Sequence, residues 1–271
     1  MTTPLEGRFD LTLSHEIAGA LSTYATVYRH LLERLGTEAA DGLWNALPTA
    51  PDALTSEILA LPQQPETEFL TEMQLREGLD RVFALPVHGV TSEQALGFLS
   101  GKPPFIFIQA AAPSGQGILS LTTYQWLHLF RDALARIAEE AVARNGKAAE
   151  FMVYDALLGE AAGWDKISGE KFMRQRLARY QTPAETPNAF SAGLDITLVR
   201  GDEREIVAHV TACEWARYHR ERHPSVGYLL ACSLDDPMYR RLCDDVRFQR
   251  RSSLMEAGRY CEFCFYRIDV R

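Results

Sequence analysis

The chain has 271 residues, 46% of them hydrophobic and 24% charged, with a formal net charge of −8 and a pI near 5.4. That balance excludes a disordered chain and argues against a general nucleic-acid or anionic-membrane binder, which needs clustered cations. No stretch approaches the ~18 consecutive apolar residues of a membrane span. The N-terminus, MTTPLEGRFDLTLSHE, also lacks a signal peptide's basic start and apolar run, so a cytoplasmic protein with reduced thiols is expected.

The first hundred residues read as a helical region. Ile17, Leu21, Tyr24, Val27, Tyr28, Leu31, Leu32 and Leu35 recur at helical spacing, with Ser14 as a candidate N-cap and Gly36 as the stop. Residues 37–47 and 66–85 predict two further helices, each stopping before a proline. The Pro-, Gly- and Ser-bearing stretch 100–117 reads as a linker or active-site loop. Residues 122–144 predict the longest helix, and 147–158 a shorter one. Residues 32–47 also lie over 142–157 without a gap, matching Arg34/Arg144, Gly36/Gly146, Ala39/Ala149, Ala46/Ala156 and Leu47/Leu157. An internal repeat, or the shared grammar of helix–Gly–helix hairpins, accounts for the match.

The last third changes character. Residues 1–171 carry 12 Lys+Arg against 22 Asp+Glu, whereas residues 172–271 carry 16 against 14. After Lys171 every base is arginine, whose planar fork can hold carboxylates bidentately; a compositional bias explains this equally well. After a Pro/Asn-rich connection at 182–192, LDITLV and EIVAHVTA alternate β-branched residues around an RGDE turn, predicting a hairpin. One or two short helices broken at Pro224 come next within 214–232, then a helix over 235–245, then two short strands in RSSLMEAGRYCEFCFYRIDV. The expected fold class is α+β: a helical N-terminal region, 1–100, then an α+β domain, 101–271, with an antiparallel sheet and helices packed on one face.

All five cysteines, Cys213, Cys232, Cys243, Cys261 and Cys264, fall in the last 59 residues. Cys261 and Cys264 imitate a zinc half-site, but strand alternation in CEFCFYR puts them on opposite faces. His219 and His223 have chelating spacing, yet HRERH has Arg220 where a zinc protease needs a glutamate; solvated histidines on a charged helix are expected. Cys213 and Cys232 each end an apolar run, and Asp235 lies just beyond Cys232. A thiol beside a carboxylate is a plausible nucleophile–base pair, while a buried cysteine more commonly fills an apolar gap. Tyr28, Tyr124, His128 and Arg131 sit at helical spacings typical of core or surface and are not assigned to a site.

The run ACEWARYHRERHPSVGYLLACSLDDPMY…RFQRRSSLMEAGRYCEFCFYR resembles the C-terminal core of the L-2-amino-thiazoline-4-carboxylic acid hydrolase-like family. Its marks are Cys213 opening a helix, Cys232 with Asp235, Arg250 before Ser253-Leu254, Gly258, and Cys261-Glu262-Phe263. The match is specific over roughly 195–270; Glu262 stands where the family has Asp, and Cys243 and Cys264 lie outside the pattern. The resemblance implies hydrolytic opening of a small cyclic amidine at a non-peptide carbon–nitrogen bond; with the zinc half-site discounted on strand geometry, no metal and no cofactor are expected. The residues suit that chemistry: Cys232 or Cys213 as the thiol that adds to the amidine carbon, Asp235 as acid or base, and Arg250 and Cys261 for holding substrate, with the choice between the two cysteines left open by the sequence. Direct attack by an Asp-activated water fits the same residues. The expected partner is a small molecule, with no nucleic acid or membrane, and self-association stays open. Two other readings stand beside it: a small-molecule sensor of the same fold, and a zinc-dependent Cys/His site.

Overall fold

The computed structural model describes residues 4–66, 72–160, 165–182, 186–256 and 258–268. It contains two antiparallel sheets among many helices and is an α+β fold. The chain forms two compact units, one drawn from 10–121 and 125–157, the other from 1–9, 122–124 and 158–271. No helix of the described residues is long and apolar enough to cross a membrane.

In the first unit, strand β1 (Arg8–Thr12) runs into α1 (Leu13–Leu35), then α2 (Thr37–Asn45), α3 (Ala53–Leu59) and the short β2 (Gln63–Gln64). Helices α4 (Glu72–Val82), α5 (Ser92–Ser100) and α6 (Phe105–Ala111) come next, then β3 (Ile118–Thr122), α7 (Thr123–Phe130), α8 (Asp132–Asn145), a 3-10 turn at Lys147–Ala149 and α9 (Glu150–Glu160). Strand order is β1-β3-β2. The apolar stripe read from the sequence is the buried face of α1: Tyr24, Val27, Leu31 and Leu32 are fully enclosed, and Trp44 packs its ring 5.2 Å from Tyr24.

Three expectations change here. Ser14 is not the N-cap; α1 begins at Leu13, and the carboxylate of Glu66 accepts the Ser14 N–H at 2.9 Å, doing from a distance what a local cap would do. The stretch 100–117 contains α6, whose Phe105, Phe107 and Ile108 are buried, so it is not a plain loop. The predicted helix over 122–144 is two helices, interrupted at Arg131 (φ −123°), and α1 is the longer element.

The repeat is present in the backbone. At an offset of 110 residues, β1 overlies β3, α1 overlies α7 plus α8, and Gly36 overlies Gly146. The two glycines have nearly the same dihedrals, φ 80°, ψ 170° and φ 82°, ψ 174°, a region essentially reserved for glycine. Each donates its N–H back to the helix it ends, Gly36 to Leu32 O at 2.9 Å and Gly146 to Val142 O at 2.8 Å. The two copies touch at equivalent positions: Trp126 Nε1 donates to Glu16 Oε1 at 2.9 Å.

The second unit holds α10 (Gly169–Gln181), α11 (Ala189–Ala192), β4 (Leu194–Gly201), β5 (Glu205–Cys213), α12 (Glu214–Arg222), a π-helical turn at Tyr228–Cys232, α13 (Asp235–Leu242), β6 (Val246–Arg250), a 3-10 turn at Leu254–Glu256 and β7 (Cys261–Arg267). The hairpin expected at 194–212 is β4 and β5. Of the two strands expected after Arg250, only β7 lies there; its partner β6 precedes Arg251. The antiparallel order is β4-β5-β7-β6, with Val210 opposite Cys261, Ala208 opposite Phe263 and Ile206 opposite Phe265. One face of this sheet, carrying Ile206, Val210, Phe248, Cys261, Phe263 and Phe265, packs with Phe172 and Met173 of α10 into a single core.

Candidate functional site

Alternation along the strands decides which side chains meet. On β7, Cys261 and Phe263 turn to the core face while Cys264 turns to the other, where its thiol donates to Glu262 Oε1 at 3.6 Å. On β6, Phe248 lies on the core face and Arg250, two residues on, shares it. Arg250 therefore ends the sheet on the side where the π-helical turn and α13 begin. Its Nη1 donates to the Cys232 carbonyl at 2.9 Å and its Nη2 pairs with Asp235 Oδ2. The side chains are 9% exposed for Arg250 and 25% for Asp235, so the pair is largely withdrawn from water.

The other thiols arrive from separate elements. Cys213 ends β5 and its sulfur accepts the Ala216 N–H at 3.3 Å, capping α12. Cys261 accepts the Leu254 N–H at 3.1 Å, fixing the 3-10 turn beyond Arg250. That turn closes on Gly258, whose N–H donates to Ser253 O at 2.9 Å; a Cβ there would stand 2.7 Å from the same oxygen, so the position admits only glycine. Ser253, buried by this turn, faces the sulfurs of both Cys232 and Cys261. The five residues named from the sequence are thus brought together within one unit.

Their electrostatics are dominated by burial. Burial pushes the Cys232 thiol up to about 12, against the pull of Arg250. It raises Cys213 further still, and raises Cys261 despite the Leu254 N–H and Arg250. Burial also lifts Asp235 to about 6, although Arg250 and, at longer range, Arg176 favour its ionised form. All three thiols therefore stand protonated at neutral pH, while Asp235 is mostly a carboxylate but close enough to titration to exchange a proton.

Cys213, Cys243, Cys261 and Cys264 each bond a backbone amide or carboxylate, Cys243 donating to Asp245 Oδ1 at 3.2 Å. The Cys232 sulfur has no such structural duty among the described residues. It is the thiol set against Asp235, Arg250 and Ser253.

Sequence reasoning did not single out Arg176. This α10 residue places its guanidinium 5.1 Å from the Phe172 ring and 5.2 Å from the Tyr239 ring, behind Asp235. The spacing Phe172, Arg176, Tyr180 puts an aromatic–cation–aromatic stripe on one helix face and was the available signal. Tyr228, at the start of the π-helical turn, faces Arg250 and was also missed.

His219 and His223 are not solvated: both are buried, 3% and 2% exposed, against the ring of Tyr218. His219 lies on the packed side of α12 and His223 caps its C-terminal end, while Arg220 and Glu221 are exposed. Among the described residues no group of three His, Cys, Asp or Glu is placed to hold a metal ion. Tyr28 belongs to the helical unit, stacked on Phe98 with its hydroxyl donating to Asp41 at 2.6 Å.

Residues 122–265, more than half of the chain, match the model of the L-2-amino-thiazoline-4-carboxylic acid hydrolase family. The chain belongs to that family. No curated protein and no solved structure matches it. The family match opens at the end of β3, so it contains helices α7 and α8 of the second repeat and all five site residues, and leaves the first repeat outside.

Proposed function

We propose that the protein is a hydrolase that opens a small cyclic amidine or related nitrogen heterocycle at a non-peptide carbon–nitrogen bond, using Cys232 and Asp235 without a metal. The observation that carries this reading is the buried Asp235–Arg250 pair beside Cys232, within the segment that matches a hydrolase family. The Cys232 sulfur adds to the amidine carbon as its proton passes to the Asp235 carboxylate. Asp235 returns that proton to the ring nitrogen as the carbon–nitrogen bond breaks, leaving an open amine and a thioimidate on Cys232. Water then adds to the thioimidate carbon, and the adduct expels the Cys232 thiol, so one water is consumed in all.

Arg250 spends its terminal nitrogens on Asp235 and the Cys232 carbonyl. It suits the role of positioning both reacting groups better than that of clamping a substrate carboxylate with a whole fork. Cys261 and Cys213 stand beside the Cys232 thiol as neutral neighbours. The raised thiols favour a concerted proton transfer over a standing thiolate. They also give weight to a second reading, in which Asp235 activates a water directly.

The test is ring opening of 2-amino-thiazoline-4-carboxylate, hydantoins and plain cyclic amidines, monitored by chromatography, with chelator present throughout. The expected result is turnover that survives chelation and is lost in Cys232→Ala and Asp235→Asn, with both variants folded. A Cys232→Ala variant that keeps turnover moves the attack to water; absence of turnover on every ring ends the proposal. The wild-type rate should fall as pH drops through about 6, because Asp235 must be a carboxylate to receive the thiol proton.

A further inference from the structure

The turn that carries Cys232 is held at both ends. Gly227 lies flat against α12, where a Cβ would stand 2.5 Å from the His219 Cβ, and its N–H donates to His223 O at 2.8 Å. At the far end the Ser233 N–H and hydroxyl both donate to the Tyr228 carbonyl, at 3.0 and 3.1 Å. A bond from five residues on is the π-helical pattern, a rare one that is frequent at functional sites. Cys232 stands one turn beyond Tyr228 on the same side, and helical side chains lean toward the N-terminus, which carries its sulfur toward the phenol. Arg250 reaches the same place, donating to the Cys232 carbonyl and facing the Tyr228 hydroxyl.

Although its backbone is fixed, Tyr228 is 39% exposed, one of four large hydrophobic side chains left exposed among the described residues and the one that belongs to the site. Cys232 is only partly buried, so ring and sulfur share a side that is open to solvent. Of the charges near the phenol, Arg250 is spent on Asp235 and the Cys232 carbonyl, and Glu256 is exposed to water. The bare ring face therefore selects by shape and not by charge. Aromatic faces gain most from flat partners laid offset across them. The N–C–N unit of a cyclic amidine is conjugated and planar, whereas a saturated ring puckers and touches a phenol at a few atoms. We infer that Tyr228 is the stacking platform of the proposed site: the substrate's flat conjugated ring lies on its exposed face, which presents the amidine carbon to Cys232. The inference deepens the ring-opening reading and rests on it for the reaction, and its test is one of binding.

The probe is 2-aminothiazole, whose aromatic ring is flat and resists opening, titrated calorimetrically into the full chain. Thiazolidine, with the same ring atoms but saturated and puckered, is the control, in mildly alkaline buffer where both are uncharged. Saturable one-to-one binding of 2-aminothiazole is expected, with thiazolidine weaker by at least about fivefold. Tyr228→Leu, at an exposed position, should melt cooperatively and bind the probe about tenfold more weakly, whereas Tyr228→Phe, which keeps the ring, should stay within about twofold of the wild type. No binding of the probe up to about 10 mM, equal binding of thiazolidine, or undiminished binding in folded Tyr228→Leu would each overturn the inference. So would a Tyr228→Phe variant as weak as Tyr228→Leu, which would assign the effect to the hydroxyl. Failure of ring opening on every substrate, with this pattern of binding intact, would strike the proposed reaction and leave the platform standing.

Discussion

The two strand–helix–glycine–helix repeats have one skeleton and different attachments. The first continues into α3–α6, helices that complete an apolar core around Tyr24, Trp44 and Phe105. The second continues into α10 and the four-stranded sheet, where Cys232, Asp235 and Arg250 meet. What they share is small: a periodic apolar stripe and one glycine in a backbone state closed to other residues. A skeleton so lightly specified tolerates divergence everywhere else. The proposed reaction draws on residues C-terminal to the second repeat, so changes there should alter rate, whereas changes in the repeats should alter stability.

With Cys232 and Asp235 left in place, the largest effect is expected at Arg250. Arg250→Met removes the cation that pulls Asp235 down against burial, so the carboxyl should rise further above about 6 and stand protonated at neutral pH. Ring opening at pH 7 should fall by at least about 100-fold, the scale of losing one preorganised charged partner. What remains should show its acid limb displaced to higher pH, visible in a kcat/KM profile. A loss of activity with the limb unmoved would mean that Arg250 acts on substrate and not through Asp235.

How far these features were legible differs along the chain. The α+β class, the β4–β5 hairpin and the opposed faces of Cys261 and Cys264 come from periodicity, which is local and survives folding. The break at Arg131 does not, because neither proline nor glycine marks it and the apolar period runs through it. Likewise Glu66 caps a helix 52 residues away, a relation no local pattern encodes. Of the candidate site, the residue identities were readable through family resemblance, but the ion pair joining Asp235 to Arg250 depends on β6 ending beside α13. Arg176 was hidden for a related reason: an arginine on an amphipathic helix looks solvent-facing until the aromatic rings that cover it are in place.

A smaller effect is expected at the paired glycines. Gly36→Ala and Gly146→Ala each force a Cβ onto a backbone near φ 80°, and neither position has a neighbouring atom within 4 Å of that Cβ. The cost is therefore conformational alone, about 1–3 kcal/mol for each. Urea titration should show the two losses equal within about 0.5 kcal/mol, with kcat per folded molecule unchanged. Unequal losses would mean that the two copies no longer share the turn in solution.

The smallest effect is expected where the copies touch. Trp126→Phe removes the indole N–H from Glu16 and keeps most of the buried ring area. Glu16 already sits above its ordinary value because burial outweighs the hydrogen bond from Trp126 and the charge of Arg131. Without the indole its carboxylate loses one of the interactions that favour ionisation, so its pKa should rise further, and the loss of stability should be about 0.5–1.5 kcal/mol at neutral pH. A carboxyl with a raised native pKa binds its proton more tightly folded than unfolded, so the penalty is felt above that pKa and relieved as pH falls through it. The variant should thus lose most against the wild type near neutrality and least in mild acid; an equal loss at both would show that the indole contributes by packing and not by holding the Glu16 charge.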